Sequence, residues 1–249
     1  MITTRKPLVY VKIAECHLEK FDIAEADGAV QKAGSVLEQI DVEQHQSLIL
    51  RYKSTYARVL DANRKFLQAA GRYYDLSQAH DLVTPDELLL LLGRAVTCAI
   101  LAPTGVHRQR VLGLVYNDQR LSQLDSITNF QTHSNILRKM YKNQVLRPSE
   151  LTAFEASLAD HQRAITSDGN TIVQRAVLEH NMVAASYLYN TIYFSELGAL
   201  LGVTKQKAEK LASKMIIDGK LNGNIDQVTN FKIFTLFFSR YFLFTYLSF

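Results

Sequence analysis

The 249-residue chain carries 28 basic and 24 acidic residues, a net charge of +4, with 47% hydrophobic residues but only 11 glycines and 4 prolines. This balance excludes collagen-like and disordered chains, leaves little turn chemistry for an all-β protein, and lacks the concentrated basic stripe of a typical nucleic-acid binder. Its two cysteines, Cys16 and Cys98, are far apart and form no CxxC, so neither a disulfide framework nor a zinc knuckle is indicated and a reducing compartment fits. The opening stretch MITTRKPLVYVKIAE lacks the apolar core of a secretory signal.

The first hundred residues read as amphipathic helices, 8–19 paired with 21–37 and 46–62 paired with 66–79. The phrase KFDIAEA at 20–26 returns as KFLQAAG at 65–71, an offset of 45 residues that suits stacked helix-turn-helix repeats. In TPDELLLLLGRAVTCAILA, Thr84 is a helix N-cap, Pro85 suits the first helical position and Glu87 completes a capping box. The leucine run is short and flanked by charge, which makes it a buried helix rather than a membrane span. Helices are expected next at 107–116, 127–142, 148–158 and 172–188, with the turn TSDGN before the last.

The pattern then changes. TIYF at 191–194 is a short strand, β-branched and aromatic. Ser195 is expected to cap one helix that Gly202 ends, and Thr204 another that Gly219 ends. Ala208, Leu211, Ala212, Met215 and Ile216 follow the spacing of a single buried face. A hairpin-like ribbon is expected around Asn222-Gly223. Strand, helix, helix, ribbon is the order of a winged helix, so the expected fold class is mostly α: an α-α helical repeat, solenoid-like, followed by a domain that ends in a winged helix with a small β-sheet.

A winged helix raises the question of DNA. The second helix carries Lys205, Lys207, Lys210 and Lys214, with Gln206 as the main base-reading candidate and no arginine. Glu196, Glu209, Asp218 and Asp226 offset these lysines and Lys220, so phosphate attraction is weak and a solvated helix face is the simpler reading. Catalytic motifs are missing too: no GxSxG, P-loop, GxGxxG, HExxH or PCxxC occurs, and the seven histidines stand singly. Cys98 lies in an apolar helix, where an inert core thiol is expected. Glu179 and His180 are adjacent on a helix and do not face each other, so packing or polar contacts are expected of them rather than acid–base chemistry.

The residues from RAVLEHNMVAASYLYNTIYFSELGALLGVTKQKAEKLASKMIIDGKLNGNIDQV, 175–228, resemble the PCI-domain subunits of the COP-nine signalosome, the fourth-subunit family in particular. YARVLDANRKFLQAAGRYYDLS (56–77), CAILAPTGVHRQRVLGLVYNDQR (98–120) and ILRKMYKNQVLRPSELTAFEASLADHQRAITSDGNTI (136–172) are similar to the same family in the same order. LEHN and DGKLNGNID favour it over proteasome-lid relatives. The resemblance implies helical repeats over 1–100, a PCI domain over 101–230 and a winged helix at about 190–230. It implies a non-catalytic scaffold subunit, cytoplasmic and nuclear. Such a subunit supports removal of a ubiquitin-like modifier from cullin-RING ubiquitin ligases. The implied partners are other PCI subunits, the JAMM-containing catalytic pair and the cullin-RING ligases. No catalytic residue, cofactor, metal, small-molecule substrate, nucleic acid or membrane partner is expected. Leu221, Asn222, Gly223, Asn224, Ile225 and Asp226 are the candidate subunit interface, an exposed ribbon able to extend a neighbour's sheet. The alternatives are a scaffold subunit of the proteasome lid or a translation initiation complex, or a nucleic-acid-binding PCI protein.

Against that family pattern, the chain is expected to start partway through the helical repeats and to depart from it at the end. Seven of the 12 phenylalanines fall in 231–249, where the family has a strand and a long helix. A tail anchor is one reading, opposed by Arg240, since a central arginine costs about 2.5–3.5 kcal/mol on insertion. A β-rich extension is another, opposed by its aggregation hazard. The AT-rich codons of Phe, Lys, Ile, Tyr, Leu and Asn support the third, translated non-coding sequence.

Overall fold

The computed structural model describes residues 2–38, 43–166, 168–226 and 233–236, and among these it is mostly helical. Helices α1 (Ile2–Glu19), α2 (Ile23–Leu37), α3 (Gln46–Ala62) and α4 (Phe66–Ser77) pack in sequence as two helical hairpins. Their turns are built alike. In the first, Asp22 N–H bonds back to His17 O at 2.9 Å and Phe21 takes a positive φ of 59°. In the second, Lys65 N–H bonds to Leu60 O at 2.9 Å and Arg64 takes φ 59°. A left-handed residue with this six-to-one bond is how a helix closes off its last carbonyls.

These turns correct the repeat offset. Phe21 corresponds to Arg64 and Ile23 to Phe66, a period of 43 residues rather than 45. The shared letters Lys-Phe misalign the copies, because Phe21 sits in the turn, 84% exposed, while Phe66 opens α4 and is buried. The 43-residue register instead superposes buried Ala26 on Ala69, Val30 on Tyr73 and Ala33 on Leu76.

Helix α5 (Pro85–Leu101) runs through the main core, with every residue from Ala95 to Leu101 buried and Arg94, just before them, exposed. Thr84 Oγ1 accepts the Glu87 N–H at 3.4 Å, as a cap should, but Glu87 answers to the Thr84 hydroxyl at 3.1 Å. Around it lie α6 (Val106–Tyr116), a 3-10 turn (Gln119–Ser126), α7 (His133–Tyr141), α8 (Pro148–Ser157) and α9 (Ile172–Leu188). The helix expected over 127–142 is therefore short, starting at His133. Before it the chain makes tight turns, Phe130 N–H to Ile127 O and His133 N–H to Phe130 O. Packing is the reason: the Phe130 ring lies so close to bare Gly93 on α5 that a Cβ there would sit 2.5 Å from it. Ser134 is tied to Asp125 across the same turn. Tertiary contact overrides the local helical pattern here.

A second apolar cluster forms beyond the middle of α9, from Met182, Ala185, Ile192, Phe194, Leu197 and Leu201 with residues of the next helix. Its elements are β1 (Thr191–Tyr193), α10 (Phe194–Leu201), α11 (Lys205–Ile217), β2 (Gly223–Asp226) and β3 (Ile233–Leu236). The backbone of β3 runs antiparallel between β1 (Ile192 opposite Phe234) and β2 (Ile225 opposite Phe234). Gly202 ends α10 with φ 67°, and Thr204 Oγ1 caps α11 by accepting the Lys207 N–H at 3.3 Å.

Two local expectations are corrected. Ser195 is not a cap: Phe194, fully buried, already opens α10, and Tyr193 holds the cap position. Nor is Asn222-Gly223 a hairpin turn. Gly219 (φ 67°) ends α11, Lys220 and Leu221 N–H both bond back to Met215 O, and Gly223 is already in strand opposite Leu236. The link between β2 and β3, 227–232, lies outside the described residues, as does the aromatic stretch 231–249 apart from β3.

Candidate assembly surface

The six ribbon residues do not form one exposed face. Leu221 is buried at 6% and belongs to the second core, so it is withdrawn from the candidate surface. Asn222, Asn224 and Asp226 are exposed, while Gly223 and Ile225 are half-buried, with Ile225 packed against that core. The alternation is that of a strand with one face covered. With strand order β1-β3-β2, β2 has β3 on one side and no strand on the other among the described residues. Such an edge offers backbone donors and acceptors to a further strand.

On α11, Ala208, Ala212 and Met215 face the core, with Leu211 and Ile216 packed beside them. Lys205, Gln206, Lys207, Lys210 and Lys214 are exposed. Two lysines of the motif are engaged internally: Lys207 Nζ donates to Asn170 Oδ1 at 2.7 Å, and Lys220 Nζ to Glu179 Oε2 at 3.2 Å. What remains is a solvated basic face shared with acids, a weak match to a phosphate track.

LEHN on α9 is where the two cores are joined. Glu179, buried, takes Arg175 Nε at 3.2 Å on one oxygen, and on the other Lys220 Nζ and the Thr104 N–H at 3.4 Å. His180 Nε2 reaches Gln144 O at 2.9 Å. Asn181 grips Leu146 twice, accepting its N–H at 2.9 Å and donating to its carbonyl at 2.8 Å. Glu179 and His180 thus serve separate polar contacts and form no acid–base couple. Burial, then the nearby Arg108 charge, push His180 down to about 4, so it is neutral at physiological pH.

Arg108 is a buried cation that the periodicity does not single out. Its guanidinium donates to Ala99 O (3.2 Å), Ile100 O (3.1 Å) and Thr104 Oγ1 (3.0 Å). It therefore caps the carbonyl end of α5, where a helix dipole favours positive charge. Burial still lowers it to about 10, partly offset by Glu179. Sequence offers one faint signal for it, the breaker Pro103-Thr-Gly105 one turn upstream, which leaves the α5 carbonyls in need of a donor.

The other polar clusters are structural in geometry. Asp61, buried, receives Gln162 Nε2 at 2.9 Å and meets His161 Nε2 at 3.0 Å, pinning α3 to the chain after α8. Burial, and then the Asp61 charge, push the Cys98 thiol well up, away from a nucleophilic thiolate. His133 contacts Thr97 Oγ1 at 3.0 Å and burial brings it down to about 4. Among the described residues no group of three His, Cys, Asp or Glu is placed to hold a metal, and no helix is long and apolar enough to cross a membrane. A groove between 142–145 and the end of α9 is a further feature that periodicity does not reveal.

Comparison with known proteins places this architecture. Residues 158–235 match the PCI domain, a span that includes all of α9, β1, α10, α11 and β2, and most of β3. The chain is 44% identical over 220 residues to COP9 signalosome complex subunit 4 of Drosophila melanogaster, covering 88% of this chain and 51% of that protein. It is 42% identical over 223 residues to the Dictyostelium discoideum protein of that name, covering 90% and 54% respectively. To that of Arabidopsis thaliana it is 41% identical over 223 residues, covering 87% and 54%. The chain spans about half the length of the curated relatives it matches. It therefore carries a PCI domain and is homologous, along nearly nine-tenths or more of its own residues, to COP9 signalosome complex subunit 4.

Proposed function

We propose that this chain acts as a non-catalytic scaffold subunit of a COP9 signalosome, supporting removal of a ubiquitin-like modifier from cullin-RING ligases through protein–protein contacts. The observation that carries this reading is the 44% identity over 88% of the chain to a protein of that name. The polar residues beside the second core fit it, because they are spent on internal ties rather than gathered around a reactive centre. In this reading β1, α10, α11, β2 and β3 form a winged helix used for assembly. The outer edge of β2, Gly223–Asp226 with Asn222 just before it, pairs with a neighbouring PCI subunit, and α1 to α4 present the repeat surface. The partners are other PCI subunits, the JAMM-containing pair and cullin-RING ligases, in both cytoplasm and nucleus.

The test is affinity purification of the tagged chain from its own cells, with mass spectrometry of what copurifies. Recovery of a JAMM subunit with other PCI subunits is expected. Recovery of proteasome-lid or initiation-factor subunits would move the chain to a sister assembly, and recovery of nucleic acid alone would remove the scaffold reading. An Asn224→Lys substitution, which puts charge on the strand edge, is expected to reduce the yield of PCI partners while leaving the circular dichroism unchanged.

A further inference from the structure

We infer that a groove between the end of α9 and the turn after α7 docks an acidic protein segment presenting one bulky apolar side chain; this rests on reading the chain as an assembly subunit. The groove is an open depression of about 460 Å³ lined by Lys142, Asn143, Gln144, Val145, Tyr187 and Leu188. That volume suits a large side chain and a little of its backbone. Its apolar wall is open to solvent, with Leu188 64% and Tyr187 44% exposed, and Tyr189 next to them 41% exposed. Contiguous exposure of this kind marks an interaction site more often than scattered surface leucines do.

The groove is held in shape before anything binds. Its far wall, 144–146, is fixed to α9 by the His180 contact to Gln144 O and the double bond between Asn181 and Leu146. Asn143 at the rim holds a left-handed φ of 52°, a conformation asparagine tolerates better than most residues. A preformed wall spares the ordering cost that otherwise weakens binding.

Charge and the apolar wall identify the occupant. Arg138 and Lys142 stand one helical turn apart, both exposed, and Arg147 follows at the start of α8, also exposed. The acid nearby, Glu150, is paired with Lys139 and also faces Arg147, whose N–H it accepts at 3.0 Å, whereas Arg138 and Lys142 make no ion pair among the described residues. Carboxylates on the incoming segment complement them. A nucleic acid also brings negative charge, and amide side chains bond base edges as well as a peptide backbone, so the apolar wall decides between the two. The amide side chains of Asn143 and Gln144 offer acceptors as well as donors, which match the N–H and C=O of a peptide. Val145 and Leu188 add an aliphatic wall suited to Leu, Ile or Phe rather than to a stacked base.

The full chain carrying the photocrosslinker p-benzoylphenylalanine in place of Leu188 tests this, irradiated in cells, with the same group in place of Leu114, 55% exposed on α6, as the control. The expected result is a crosslink from position 188, and not from 114, to a protein segment of net negative charge with a large apolar residue. Charge reversal by Arg138→Glu with Lys142→Glu is expected to abolish it, and a synthetic peptide of the captured segment to bind the reversed chain roughly tenfold or more weakly. No adduct at 188, a nucleotide adduct, a segment lacking acidic residues, or capture unaffected by charge reversal would each overturn the proposal. The copurifying subunits in the same sample report separately on the scaffold reading, so the two ideas can fail independently.

Discussion

At the scale of single residues, Arg108 shows how a cation is kept inside a core. It is 2% exposed, and its donors are used on two α5 carbonyls and the Thr104 hydroxyl. Arg108→Met removes those donors from buried acceptors, and unfolding in urea is expected to become easier by about 3 kcal/mol. Arg108→Lys is expected to recover less than half of this, since an ammonium cannot reproduce the planar fork. The sequence around it, HRQRVLGL, shows three basic side chains and a glutamine in succession. No period distinguishes the inward Arg108 from the outward Arg110, because the information lies in the end of a different helix. Thr84, Thr204, Gly202 and Gly219 were legible for the opposite reason: a cap or a helix stop is chosen by its immediate neighbours.

The same contrast holds for whole elements. The helices α3 and α9 end where their periodicity does, at Gln46–Ala62 and Ile172–Leu188, although the middle of α9, Glu179 to Met182, is buried nearly all round. The stretch before α7 departs because Phe130 is claimed by Gly93 on α5, a contact no local pattern encodes. In the candidate surface, the strand character of 223–226 was readable, but the inward turn of Leu221 follows from how α11 closes. Between elements, the decisive contacts are polar. Glu179 ties α9 to the end of α11 through Lys220 and to the start of α6 through Thr104. Glu179→Ala leaves the Thr104 N–H without that acceptor and Lys220 with only the more distant Asp218, 3.9 Å away, and is expected to cost about 1–3 kcal/mol. Lys220→Met is expected to cost less, because Glu179 keeps Arg175. Hydrogen exchange should show the difference, with amides around Thr104 and Leu221 speeding up by roughly tenfold or more in Glu179→Ala and the centre of α5 unchanged.

Over the whole molecule, two buried histidines set an acid limit. His133 and His180 have ordinary values of 6.5 and are each pushed down to about 4 by burial. Between those pH values the unfolded chain binds protons that the folded chain refuses, so stability falls as pH drops from 6.5 towards 4 and this contribution levels off below that. Urea midpoints measured at pH 7, 5.5 and 4.5 should decline in that order, and His180→Gln, which keeps a donor for Gln144 O, should flatten the decline. The architecture has a mechanical side as well. The first core takes Ile172, Val173 and Val177 from α9, and the second takes Met182 and Ala185 from the same helix. Helix α9 is thus an axle shared by two bodies, and Lys220–Glu179 and Lys207–Asn170 are its stays. A load applied at the β2 edge arrives at the first core as torque on that axle. The stays resist the twist, and being polar they slacken with salt and hydration while the two bodies keep their shape.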